Sequence, residues 1–376
     1  GVGGGSANNG APEDLATLNV EGGSAVTIRG FDISIDEIVG VPVGLDSRIG
    51  SGTASTTISF GTGGAGASVH NTAAMTFMEN RVHDTGAGLV ATYDGLATPP
   101  AAGYSLNVTR NTFRNAGMAV AVGVADCSAA ITVSQNTMDD CDAGVLAIAS
   151  GDSLLSTYMS VRVENNTMTR MLDGVMVDSL GGAVDASIYG NIIQGGSSID
   201  VSEAADMLSM LGLFPLINSS KAGVGIKGLS RVETPFNAGL LGIFTFAGGP
   251  EASLTATIEN NTVTDFLLGI GGMSVGDAAI NSFTVRRNTV RGGGGNAMAA
   301  YMADLPPESS DYGILGIGAF TSDGDLSACI DWNSVSHEVY GIVAMANSQP
   351  GLNELNAVIA VNAISETTVG IGAMGM

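Results

Sequence analysis

The phrase VRVENNTMTRMLDGVMVDS at 161–179 returns as ATIENNTVTDFLLGIGGMS at 256–274. Taking the asparagine of each such phrase as position zero gives a register through Asn80, Asn111, Asn136, Asn166, Asn191, Asn261, Asn288, Asn333 and Asn362. The residue two places later is always apolar: Val82, Phe113, Met138, Met168, Ile193, Val263, Val290, Val335 and Ile364. Three and five places before the asparagine are apolar as well, as in Val161 with Val163 or Phe283 with Val285. This period-two alternation marks strands with one buried face, and a helical hairpin repeat would instead show spacings of three and four.

Eight residues after the asparagine stands glycine at Gly88, Gly144, Gly174, Gly269, Gly341 and Gly370, replaced by Ala119, Ile199 and Asn296 elsewhere. A second short apolar alternation follows it. The unit therefore reads strand, asparagine turn, short strand, glycine turn, strand, loop. Successive asparagines are 31, 25, 30, 25, 70, 27, 45 and 29 residues apart. A repeat of this length with three short strands is satisfied by a solenoid in which each phrase winds one coil and pairs in parallel with the next. One coil alone buries too few apolar side chains to offset the entropy of ordering its backbone, so repetition is obligatory. Asparagine tolerates left-handed backbone angles and can place its amide against the same amide one coil away, while glycine admits a turn that a Cβ would obstruct.

These phrases resemble the right-handed parallel β-helix repeats of the pectate-lyase-like superfamily, over about 75–373 and back through AVTIRGFDISI at 25–35. The resemblance implies an all-β, right-handed parallel β-helix of about ten coils. Residues 1–20 read as a flexible leader and 21–376 as a single β-helix domain, with insertions near 202–249 and 302–320. Within the first insertion, GVGIKG and GLLGIFTF read as strands of a degenerate coil and Ala204 to Leu213 as a short helix. The final TTVGIGAMGM is still inside a repeat, so either the chain continues beyond it or the last coil stacks on another copy, as in a head-to-tail filament.

Composition narrows the partners. The net charge is −23, from 36 acids and 13 bases, which disfavours nucleic acid because phosphate binding needs clustered cations. No apolar run reaches the roughly 18 residues of a membrane-spanning helix. Cys127, Cys141 and Cys329 are too few for a disulfide framework; one bridge from Cys127 to Cys141 and three idle thiols are both open.

The chemistry-bearing residues are sparse. Outward positions four and two before the asparagine mix acids with bases; Glu164 beside Arg162, and Glu259 one coil from Arg286, read as solvated cross-strand pairs. The acidic stretch MDDCDAG offers Asp139, Asp140 and Asp142 as a weak Ca²⁺ site, the one cofactor this sequence suggests. Carbohydrate-active relatives in the resembled superfamily group carboxylates and bases on neighbouring coils. Asp140 and Arg170 both lie four after their asparagines, so with Asp139 they form the best catalytic candidate. The Gly-His-Gly and Arg-Ile-Lys motifs of the hydrolases are missing, and His70, His83 and His337 read as surface decoration. The expected function is an extracellular or cell-surface structural or adhesive solenoid, self-associating through coil ends. A polysaccharide lyase or hydrolase acting on an extracellular glycan is the alternative.

Overall fold

The computed structural model describes residues 16–23, 25–34, 64–95, 100, 102–151, 157–196, 198–199, 236–249, 251–276, 279–293, 312–322, 324–347 and 354–375. Its elements are strands, and no helix occurs among the described residues. They wind as ten coils behind a leading strand, β1 (Ala16–Glu21), which pairs in parallel with β4 (Ala65–His70). Residues 16–20, assigned from sequence to a leader, thus belong to the solenoid.

Coil four shows the plan. Strand β9 (Ser128–Ser134) lies in the first sheet, turns at Asn136 and continues as β10 (Thr137–Ser150), which bends within itself to supply both the short second face and the third face. The first sheet stacks ten strands, from β2 (Val26–Arg29) to β27 (Leu355–Ala360). The second and third faces share a sixteen-strand sheet that ends with β28 (Ala363–Gly375). Neighbouring coils pair in parallel with constant register, for example Val161 with Ile131 and with Ala186. The inward columns predicted from sequence are buried throughout, from Met75 and Phe77 to Ala328 and Ile330.

The asparagine ladder is continuous. In each coil the backbone N–H and side-chain Nδ2 both donate to the Oδ1 of the next asparagine. Asn136 does so to Asn166 at 2.9 and 3.0 Å, and Asn166 to Asn191 at the same distances. The Nδ2 group also reaches back to a strand carbonyl of the preceding coil, as Asn166 does to Val133 at 2.9 Å. The series runs from Asn80 to Asn362 without a break, and Phe31, in the asparagine position of the first coil, gives its N–H to Asn80 Oδ1. From Asn80 to Asn333 these amides are almost wholly buried, so each satisfied donor and acceptor there avoids a desolvation cost of about 1–3 kcal/mol.

Two assignments of backbone work change. The left-handed residue is not the asparagine but the one before it, including Glu79 (φ 55°), Gln135 (φ 56°) and Trp332 (φ 59°). A second left-handed column lies four after the asparagine, at Asp84, Asn115, Asp140, Arg170, Asp265, His337 and Glu366, and this is where the chain bends. The glycine column has ordinary φ and serves packing. A Cβ on Gly88 would meet the Phe113 ring and the Ala119 carbonyl, and one on Gly174 would meet Ile193 and the Gly242 carbonyl. Each glycine therefore makes room for the apolar side chain two after the next coil's asparagine.

The long stretches outside the described residues recur at one point in the order of strands. They fall between the second and third faces: residues 35–63 between β3 (Asp32–Ser34) and β4, residues 200–235 between β16 (Ser198–Ile199) and β17 (Phe236–Asn237), and residues 294–311 between β23 (Thr289–Arg291) and β24 (Gly313–Ser322). GLLGIFTF is strand β18 (Gly239–Gly248), as expected, and it restores the coil broken by the 70-residue gap. GVGIKG and the proposed helix at Ala204 to Leu213 lie outside the described residues. Cys127, Cys141 and Cys329 are unbridged; burial pushes the first two thiols up to about 11.

Candidate functional site

The second face is built from three- to five-residue stretches whose outward positions are one, three and four after the asparagine. On coils two to four, formed by β6 (Arg81–Asp94), β8 (Thr112–Ala125) and β10, those positions line an open groove of about 580 Å³. Its walls are Arg81, His83 and Asp84, then Thr112, Arg114 and Asn115, then Asp140. Register sets them one coil apart: Arg81 beside Thr112 and His83 beside Arg114.

Most of the groove's polar groups are tied to one another. His83 Nδ1 lies 2.8 Å from Asp84 Oδ2, and its Nε2 lies 3.1 Å from Asp32 Oδ1. Asn115 Nδ2 donates to the other Asp84 oxygen at 2.6 Å. The bond to Asp84, with further help from Asp32, raises the His83 pKa above 6.5 against a small desolvation penalty. Asp84 moves the opposite way, held below the ordinary carboxylate value by His83 first and Asn115 second.

The sequence candidates are placed as follows. Arg170 reaches Asp139 at 2.5 Å and Asp140 at 3.9 Å, so the predicted neighbours do meet. Asp139 also accepts from the Thr169 hydroxyl at 2.8 Å and so is engaged on both oxygens. Asp142 stands beyond the bend, across the inward-facing Cys141, and its Oδ2 lies toward Gly117 of the previous coil. The three aspartates therefore diverge, and among the described residues no cluster of acids, histidines and cysteines could hold a metal ion. The three acids expected to form a Ca²⁺ site are thus not brought together: Asp139 and Asp140 face the second-face groove region, and Asp142 lies beyond the bend. On the first sheet, Glu164 pairs with Arg162 of its own strand at 2.8 Å, a contact within the coil and not across strands, whereas Glu259 reaches Arg286 at 3.2 Å and Arg287 at 2.8 Å one coil away, as the cross-strand reading expects.

Three carboxyl groups were not singled out by the sequence reading. Asp173 is raised to about 7, by burial first and by the nearby Asp142 charge, although the Leu241 N–H donates to its Oδ1 at 3.2 Å. Asp178 is raised to about 7 by burial alone. Part of the Asp178 residue surface remains accessible, yet its Oδ1 is enclosed and has no hydrogen-bond partner. Glu338 points inward with Oε2 unpartnered, and burial places it well above the ordinary range. Asp178 was detectable in principle. Its outward neighbours by register are Ile148 and Phe246, and the column beside it runs Val90, Ala121, Leu146, Met176 and Phe244. The third face is thus apolar outside as well as inside, and its outward Val90, Leu146, Ile148 and Phe244 are buried.

Comparison with protein-family models gives a match over residues 16–167 to the right handed beta helix region. Comparisons with curated proteins and with solved structures give no significant match. The winding described above continues in the same register beyond the matched segment to residue 375.

Proposed function

Because the chain is a right-handed parallel β-helix, we propose that it serves outside the cell as a rigid structural or adhesive rod. The observation carrying this reading is the unbroken amide ladder. Every coil from the second to the tenth is locked to its neighbours by side-chain amides, buried from Asn80 to Asn333 and partly buried at Asn362, which resists bending and fraying along the axis. The self-association proposed with it runs coil upon coil. Ile371 on the last described coil is 56% exposed, whereas its register partner Ile342 one coil earlier is buried, so a coil stacked there would cover it.

A glycan-cleaving role draws less support. Asp139 is occupied by Arg170 and Thr169, and Asp84 by His83 and Asn115, which leaves Asp140 without a second uncommitted carboxylate lining the groove. Electron microscopy of the purified chain over a concentration series is expected to show straight rods that lengthen in whole-molecule steps. Single short particles at every concentration would count against end-to-end assembly, and visibly curved or collapsed particles against the rod itself.

A further inference from the structure

The geometry points to the second-face groove as a binding site for an oxyanion, a carboxylate or sulfate group carried on an extracellular ligand, gripped by Arg81 and Arg114. Acids outnumber bases 36 to 13 in this chain, so an arginine without a close carboxylate is an exception. Arg29, Arg110, Arg162, Arg170, Arg286 and Arg287 each have one within 3.2 Å. Among the described residues Arg81 has no ion-pair partner. Arg114 has only Asp139 at 4.0 Å, and that carboxylate is already held by Arg170.

Both underused guanidinium groups line the same groove, one coil apart. The groove's two aspartates stand off from the guanidinium groups without erasing their own charge: Asp84 is held by His83 and Asn115 and still feels Arg114, and Asp140 lies toward Arg170. With His83 neutral the lining charges balance, two arginines against two aspartates, and protonation of His83 makes the groove net positive on a molecule that is elsewhere strongly negative. Guanidinium forks suit carboxylate and sulfate oxygens bidentately, and Thr112 and Asn115 add neutral polar groups for whatever carries the anion.

His83 adds a third cation when protonated. The groups facing it are Asp32 from β3, Asp84 and Arg81 on its own strand and Arg114 from β8; the two acids favour its charge against the cost of desolvation, and like charge on neighbouring arginines works against it in principle. Anion binding is thus expected to weaken as pH rises through the raised histidine pKa.

This inference names a ligand class for the adhesive role and rests on that reading for its purpose. The test is calorimetric titration of the full chain with sulfate, acetate and glucuronate, with glucose as the neutral control. Wild type is expected to bind the anions and not glucose. Arg81→Ala and Arg114→Ala should each weaken binding at least ~10-fold with an unchanged melting temperature, since both side chains are exposed and make no close ion pair. Arg291→Ala removes another arginine with no ion-pair partner among the described residues, outside the groove, and should change nothing. Glucuronate stronger than acetate makes a sugar acid the carrier, and sulfate alone makes the ligand a tetrahedral oxyanion. Absence of anion binding by wild type, or equal loss in Arg291→Ala, would overturn the site. A rod that forms normally but binds no anion would sink this inference while leaving the structural reading intact.

Discussion

Asn166→Ala is expected to destabilise the protein by about 3–5 kcal/mol, far more than an exposed polar truncation. Its Oδ1 accepts both the backbone N–H and the Nδ2 of Asn136, and its Nδ2 serves the Val133 carbonyl and Asn191 Oδ1. Alanine would strand two donors of Asn136 in a site where that residue is 1% exposed and water has no access. The same change at Asn362 offers an internal control. Asn362 accepts the equivalent pair from Asn333, but these bonds are only partly buried and water can replace them. Urea unfolding should therefore show a loss at Asn362 of about 1 kcal/mol. Equal losses at the two positions would mean that burial of the ladder is not what makes it stabilising.

The second large effect concerns pH. Asp173 and Asp178 have folded-state pKa values of about 7, well above their unfolded values, and Glu338 is displaced in the same direction. The folded state therefore holds protons that the unfolded chain has released, and stability falls as pH rises. The contribution is fully present below about pH 4 and is lost as pH rises through about 7. For Asp173 and Asp178 the shift corresponds to roughly 4 kcal/mol each as an upper figure, because local relaxation or water entry can relieve part of it. Repulsion within a chain of net charge −23 pushes the same way, so the wild-type profile alone is ambiguous. Asp178→Asn separates the two: it removes one titrating site and changes the net charge by a single unit. Melting temperatures measured between about pH 5 and pH 8 should fall for wild type and fall clearly less for Asp178→Asn. Parallel profiles would show that Asp178 is hydrated and ordinary.

Much of the architecture was legible because solenoid coils repeat their inward side chains at fixed offsets. The asparagine ladder, the strand alternation and the return of GLLGIFTF after the long gap all came from that regularity. The glycine column was only partly legible. Counting eight residues from Asn191 and Asn288 reaches Ile199 and Asn296, whereas register places Gly242 and Gly316 there, beyond the excursions. A linear count fails wherever an insertion falls inside the counted interval. The left-handed column before each asparagine was invisible, because Glu79, Arg110, Gln135, Trp332 and Val361 share no chemistry. Their conformation is imposed by stacking and by the hydrogen bonds it brings, such as the Glu79 N–H to the Thr109 carbonyl.

The candidate site divides the same way. The meeting of Asp139, Asp140 and Arg170 follows from equal offsets on adjacent coils and was predictable. The His83 network was not, because its partner Asp32 sits on a coil whose asparagine position is Phe31. A register defined by asparagines stops one coil short. Arg81 and Arg114 carry no sequence signal, because what sets them apart is the close carboxylate that each lacks among the described residues.

The central claim is that one buried amide ladder holds all the coils as a single rigid body, and amide hydrogen exchange tests it directly. The backbone N–H groups of Asn111, Asn136, Asn166, Asn191 and Asn261 donate to side chains, not to strand carbonyls. They are expected to exchange with the slowest class, at rates set by global unfolding. Rapid exchange at these positions, with slow exchange confined to the flanking strands, would contradict the account.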